Sequence, residues 1–243
     1  MNIFRILPVL ILGALPITAG AQVLQENFDS FSALFTGTNP WSLQNRSDSP
    51  AGGQSWFAGT TDAFPAQSGS GYVAANYLST GGIAGTETIS NWLISPTFNI
   101  ANGEVITFFT RSGGAAPDRL QLRLSLSGTS TNVGTGSSDF GDFTVLALDI
   151  NPTQTAGIYP TGWTQYSAVI AGVPLAGTTG RLAFRYNVAG SGVNGLNGDY
   201  VGVDTLRVNL VPEPSTYAFG LLGLTVIGGV VLHRRRTEAT AMV

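Results

Sequence analysis

Arg119-Leu-Gln-Leu-Arg-Leu-Ser-Leu126 alternates apolar and polar residues without a break. Leu120, Leu122, Leu124 and Leu126 fall on one parity, and Arg119 and Arg123 on the other. Side chains of a β-strand point to opposite faces with a period of two, so the stretch predicts a strand with a leucine face in the core and an arginine-bearing face in water. The pattern returns in Arg181-Leu-Ala-Phe-Arg-Tyr-Asn-Val188, where Leu182, Phe184, Tyr186 and Val188 share a face opposite Arg181 and Arg185. Strands of this kind belong to antiparallel sheets that cover a core with one side.

Working outward, strand-like runs occupy residues 23–28, 71–78, 89–94, 105–111, 143–148, 163–170 and 200–210, with shorter candidates at 41–45 and 55–58. Gly, Ser, Thr, Asn and Pro punctuate the intervals, and no helical periodicity runs between them. Roughly eight to ten strands without an intervening helix predict an all-β protein, a jelly-roll β-sandwich of two packed sheets. The last strand breaks its own pattern. Leu206, Val208 and Leu210 share parity with Asp204 and Gly202, whereas Val201 and Val203 lie on the opposite parity. Either that strand is buried on both faces or a bulge sits near Asp204.

The two ends read differently from the middle. Arg5, an apolar run from Ile6 to Ile17 and the small-x-small triplet Ala19-Gly20-Ala21 form a signal peptide, 1–21, cleaved to give a mature start at Gln22. Residues 22–211 then form one ectodomain. Pro212-Glu213-Pro214 cannot continue a strand or a helix. Tyr217 to Leu232 carries no charge and predicts a transmembrane helix, followed by Arg234-Arg235-Arg236 and a short cytoplasmic tail, 237–243. At about 1.5 Å per residue the helix reaches roughly 24 Å, a marginal span of a roughly 30 Å hydrocarbon core. The arginines mark its cytoplasmic end and place the ectodomain across the membrane.

A Pro-Glu-Pro tripeptide, a short apolar helix and an Arg cluster in this order, over residues 212–236, closely resemble the PEP-CTERM sorting signal. The resemblance implies export in a Gram-negative, exopolysaccharide-producing bacterium. It also implies an exosortase partner that recognises Pro212, Glu213 and Pro214, with Arg234, Arg235 and Arg236 as the topology stop. The chain would be anchored in the inner membrane until processing, and at the cell surface or outside the cell afterwards.

A second resemblance spans most of residues 25–208. Trp92-Leu-Ile-Ser-Pro96, Pro117-Asp-Arg-Leu120, Gly141-Asp-Phe143, Trp163-Thr-Gln-Tyr166, Gly180-Arg-Leu-Ala-Phe-Arg-Tyr186 and Tyr200-Val-Gly-Val-Asp-Thr205 are similar, in order and spacing, to the choice-of-anchor J domains, relatives of the cleaved-adhesin and MAM-type jelly rolls. This resemblance implies a jelly roll with an extracellular, adhesive role and no reaction.

Composition narrows the chemistry. The chain has no Cys, and its one His is His233, so Ser-His-Asp and Cys-His arrangements and zinc sites have no ligands in the ectodomain. Residues 22–211 hold seven Arg against twelve acids, a balance that excludes a nucleic-acid partner. The expectation is a protein that is not an enzyme. A glycosidase built on two of Asp118, Asp139, Asp142, Asp149, Asp199 and Asp204 is the catalytic alternative.

Two binding expectations follow. Glu26 and Asp29 near the first strand and Asp204 on the last are candidate calcium ligands, because a jelly roll can tie its ends with a hard cation. The rival for Asp204 is an ion pair with Arg185 or Arg207. Arg119, Arg123, Arg181 and Arg185 are candidate ligands for an anionic exopolysaccharide, and Trp41, Trp56 and Trp163 could stack on sugar rings. The function expected is adhesive or structural, at the cell surface or in a biofilm matrix, with a calcium-dependent carbohydrate-binding module as alternative.

Overall fold

The computed structural model describes residues 22–50 and 54–210. The expected signal peptide, with Ala19 and Ala21, and the sorting segment, with Pro212, Glu213, Pro214, Arg234, Arg235, Arg236 and the helix expected over 217–232, lie outside those residues. No helix among the described residues is long and apolar enough to cross a membrane.

Among the described residues twelve strands follow one another: β1 (Gln22–Glu26), β2 (Ser42–Asn45), β3 (Phe57–Ala58), β4 (Val73–Asn76), β5 (Glu87–Ile94), β6 (Phe98–Ile100), β7 (Glu104–Ser112), β8 (Leu120–Ser125), β9 (Val145–Ile150), β10 (Thr164–Val169), β11 (Thr178–Ser191) and β12 (Tyr200–Leu210). They make two six-stranded antiparallel sheets. The first runs β10-β7-β12-β4-β3, with β1 also on β12; the second runs β2-β5-β11-β8-β9, with β6 also on β11. Each sheet is built on one long strand. Along one edge of β11, β6 pairs with residues 178–180 and β5 with residues 183–191. In the same way β12 pairs with β4 through Val203 and with β1 from Leu206 onward. This all-β sandwich is the fold that the alternating segments predict.

The two sheets close on the inward parity. Leu120, Leu122 and Leu124 of β8 meet Leu182, Phe184, Tyr186 and Val188 of β11, all at most 1% exposed, and the first sheet contributes Ile106, Phe108, Val201, Val203, Leu206 and Val208. Phe108 and Phe184 join the layers edge to face, with ring centroids 4.9 Å apart. Each such side chain contributes about 1.5–3 kcal/mol through burial.

A bulge resolves the irregular last strand. Against β7, Asp204 pairs with Phe109 and Arg207 with Thr107, so β12 carries one extra residue between them. Thr205 sits there at φ 51°, a conformation costly for a β-branched residue. The extra residue switches parity, so Val201, Val203, Leu206 and Val208 all point inward, whereas Gly202, Asp204 and Arg207 point outward.

Candidate functional site

The bulge sets the surroundings of Asp204. Its carboxylate is fully buried, yet neither Arg185 nor Arg207 pairs with it. Oδ2 accepts from the backbone N–H groups of Gln67 (2.8 Å) and Ser68 (3.2 Å), and Oδ1 from the Thr205 hydroxyl (3.1 Å). Burial raises its pKa, and these donors act against the rise. Asp29 closes on the same turn, accepting from the Ser70 N–H, while Glu26 accepts from the Phe28 N–H. Arg207 instead donates to Asn27 Oδ1 (2.6 Å). The sandwich thus brings Asp29 and Asp204 to one turn at residues 67–70. No group of three or more acidic, His or Cys side chains that could hold a metal ion occurs among the described residues.

The arginine face is not the wet face that the alternation predicts. Residues 127–143 fold over the outer side of the second sheet, and Val133 and Phe143 pack with Trp92, Ile94 and Ala183 in a small separate core. Arg123, Arg181 and Arg185 are 8%, 9% and 3% exposed beneath this cover. Their charge is met mostly by neutral oxygens. Arg123 donates to Gln121 Oε1 and to the Phe143 carbonyl, Arg181 to the carbonyls of Ser95 and Thr129, and Arg185 to Ser90 Oγ, Gln121 Oε1 and the Ser137 carbonyl. Arg119 forms a two-pronged ion pair with Asp149 at 2.9 and 2.6 Å. Arg123, Arg181 and Arg185 are thus scaffold for a third layer and not an open ligand face, whereas Arg119 stays partly exposed beside Asp149. The alternation correctly divided the side chains between two faces; what covers a face is set by a segment distant in the sequence.

None of the six aspartates offered for hydrolysis stands as a free pair. Asp139 and Asp142 accept bonds within residues 130–139, and Asp149 holds Arg119. Asp118 is 0% exposed, so no substrate reaches it. Its Oδ1 accepts from the Tyr186 hydroxyl and the Asp199 N–H, its Oδ2 is buried without a partner, and burial pushes its pKa up to about 7. Asp199 in turn accepts from the Ala115 N–H.

The outer face of the first sheet is more open. Arg111, Phe109, Thr107 and Val105 point outward from β7, all partly exposed, beside Gln165, Ser167 and Val169 of the edge strand β10, all exposed. Trp41 and Trp56 lie in the main core and Trp92 in the smaller one, but Trp163 remains partly exposed. It packs edge to face with Phe64 and Tyr72, and its Nε1 donates to the Pro65 carbonyl. Gly202 underlies the cluster. A Cβ there would stand 2.8–3.0 Å from the Phe64, Trp163 and Tyr72 rings, so only glycine lets them close on β12. Arg111 was not among the sequence candidates, although the alternation of 105–111 places it on this face.

Residues 210–236 match the PEP-CTERM protein-sorting motif, a span that contains Pro212–Pro214 and Arg234–Arg236. No curated protein matches the chain in sequence. Among solved structures, the fold is similar to the K1 cleaved adhesin domain of Lys-gingipain from Porphyromonas gingivalis W83, with a TM-score of 0.50 at 20% identity over 79% of this chain and 100% of that one. The K3 domain of the same protein gives 0.49 at 18% identity over 79% and 99%, and a family 35 carbohydrate binding module from Clostridium thermocellum gives 0.37 at 12% over 79% and 100%. At these identities the likeness is one of fold. The chain therefore joins a jelly-roll domain similar in fold to a cleaved-adhesin domain to a C-terminal PEP-CTERM protein-sorting motif.

Proposed function

We propose that the protein is an exported, non-enzymatic adhesive or structural module of a Gram-negative cell surface or exopolysaccharide matrix, sorted and processed by an exosortase. The observation behind this is the junction at residue 210, where the spine strand β12 ends and the sorting motif begins. The sandwich is complete before the Pro-Glu-Pro tripeptide begins, so cleavage there releases or re-anchors the ectodomain without disturbing its core. The helix 217–232 serves as the transient membrane anchor and the arginines fix its orientation. Glu213→Ala, and separately deletion of Arg234–Arg236, are expected to leave full-length protein in the inner-membrane fraction on immunoblots. Normal processing of both variants would remove the sorting role.

Calcium-dependent carbohydrate binding is the second reading, favoured by the meeting of Asp29 and Asp204 at the 67–70 turn. The donors are oxygens, which suit a hard cation. Gly69 lets the Asp29 carboxylate lie directly against the turn, since a Cβ there would stand 2.1 Å from Asp29 Oδ1. Asp29, Asp204 and the neighbouring carbonyls would hold the ion and tie the first strand to the last, with Glu26 at the margin. The melting temperature is expected to fall by several degrees in chelator and to return with calcium, and Asp204→Asn should abolish the response. An unchanged melting curve removes calcium from the function.

A further inference from the structure

Arg111 differs from every other arginine among the described residues. Arg46, Arg119, Arg123, Arg181, Arg185 and Arg207 all donate to protein oxygens, whereas Arg111 donates to none of the described groups. Its Nε is buried and unpartnered, and its guanidinium carbon lies 4.1 Å from the centroid of the Phe64 ring. Stacking of this kind holds the planar group in place and leaves its remaining N–H groups for an outside acceptor.

The neighbours suit a sugar. In the register of β10 on β7, Thr164 opposes Thr110, which places Trp163 beside Arg111 at the strand end. Phe109 is two residues back on the same face, opposite the exposed Gln165. Apolar sugar faces pack on such rings, and a guanidinium grips a carboxylate with paired hydrogen bonds. Asp204, opposite Phe109, does not cancel the cation, because the 67–68 N–H groups already engage its carboxylate.

We propose that Arg111, flanked by Trp163 and Phe109 on the outer face of the first sheet, binds one carboxylate-bearing sugar, a uronic acid residue of an extracellular polysaccharide. This deepens the adhesive role and rests on it. The seven arginines and twelve acids of residues 22–211 disfavour a long run of anionic contacts, so the site takes a single carboxylate and its affinity weakens with salt.

The test measures retention of the detergent-purified full chain on immobilised polygalacturonate, with fully methyl-esterified polygalacturonate as the uncharged control. The wild type is expected on the first polymer only. Arg111→Gln should lose about tenfold or more in affinity and Arg111→Lys less, since lysine keeps the charge without the planar fork. Neither variant removes a protein hydrogen bond, and only Arg111→Gln gives up the charge stacked on Phe64, so both should remain folded and melt within a few degrees of the wild type. Equal retention of wild type and Arg111→Gln, or of both polymers, overturns the site, as does no retention of the wild type. Parallel columns of the producing organism's own exopolysaccharide separate the two levels: wild type and Arg111→Gln retained equally there, with neither on polygalacturonate, sinks this site alone, and no retention on any column sinks the polysaccharide-adhesive role with it.

Discussion

Asp118→Asn is expected to flatten the pH dependence of ectodomain stability between about pH 4 and pH 7 and to stabilise the protein at pH 8 by about 2–4 kcal/mol. Asp118 lies just before β8, is fully buried, and has an ordinary value of 3.8 raised to about 7. Burial is the main cause, since a carboxylate without water must be charged in a poor dielectric. The Tyr186 hydroxyl at 2.5 Å and the Asp199 N–H at 2.8 Å favour the charged form, whereas the nearby Asp199 carboxylate disfavours it. A carboxyl with a higher pKa folded than unfolded binds its proton more tightly in the fold. Its contribution is therefore most favourable below about pH 4 and is lost as the pH rises to about 7. Each pKa unit is about 1.4 kcal/mol, so complete charging costs up to about 4 kcal/mol. Asparagine keeps an acceptor for Tyr186 and Asp199 but cannot charge, and at pH 4 it should match the wild type or fall slightly below it. Urea midpoints across this range decide the matter. A wild-type curve that is flat, or that rises towards pH 7 and is unchanged in the variant, would show that Asp118 is ionised without penalty.

Asp118 also shows where sequence stops being informative. Pro117-Asp118 reads as turn punctuation, and a turn aspartate is normally solvated. Its burial comes from Tyr186 on β11 and from Asp199 before β12, contacts spanning 68 and 81 residues that leave no local trace. The strands were legible because alternation is local. Leu120 to Leu124 and Leu182 to Val188 point inward as predicted, and even the bulge was visible as a change of parity around Asp204. β6 was missed, because its three residues follow the Ser95-Pro96 break and run straight into Ala101-Asn102-Gly103, so they read as part of the connection. The covered arginines were misjudged for the same reason as Asp118. Glycine-rich residues 127–143 look like a solvated loop, and only Val133, Phe140 and Phe143 hint that it has a buried side. Arg111 was legible as to face and not as to freedom: that six other arginines would find partners and this one would not depends on the whole fold.

Arg185→Ala is expected to destabilise the ectodomain by about 3–5 kcal/mol and to expose residues 127–143 to protease. The side chain is 3% exposed, stacks 4.8 Å from the Trp92 ring centroid, and bonds Ser90 Oγ at 3.0 Å and Gln121 Oε1 at 3.2 Å on the sheet. Its third bond, to the Ser137 carbonyl, crosses to the covering segment. Burial and the neighbouring Arg123 and Arg119 lower its pKa, so the guanidinium is held at a cost that these bonds must offset. Truncation to alanine removes the charge and leaves a void beside Trp92. Ser90 Oγ keeps its donor Trp92 Nε1 and Gln121 Oε1 keeps Arg123, so the Ser137 carbonyl alone loses its donor. The void, the lost bonds and that carbonyl set the size of the loss. Arg185→Met separates the two contributions. It refills much of the volume without a charge, and should recover most of the urea midpoint while restoring no bond to Ser137. If the cover is held mainly by that bond, Arg185→Met stays protease-sensitive at 127–143 although globally stable. If the cover is held instead by Val133 and Phe143 against Trp92 and Ile94, the methionine variant resists protease like the wild type. An alanine variant that loses less than about 1 kcal/mol and resists protease would mean that the third layer is held without Arg185, because a side chain this buried and this bonded cannot be removed cheaply from a structure that depends on it.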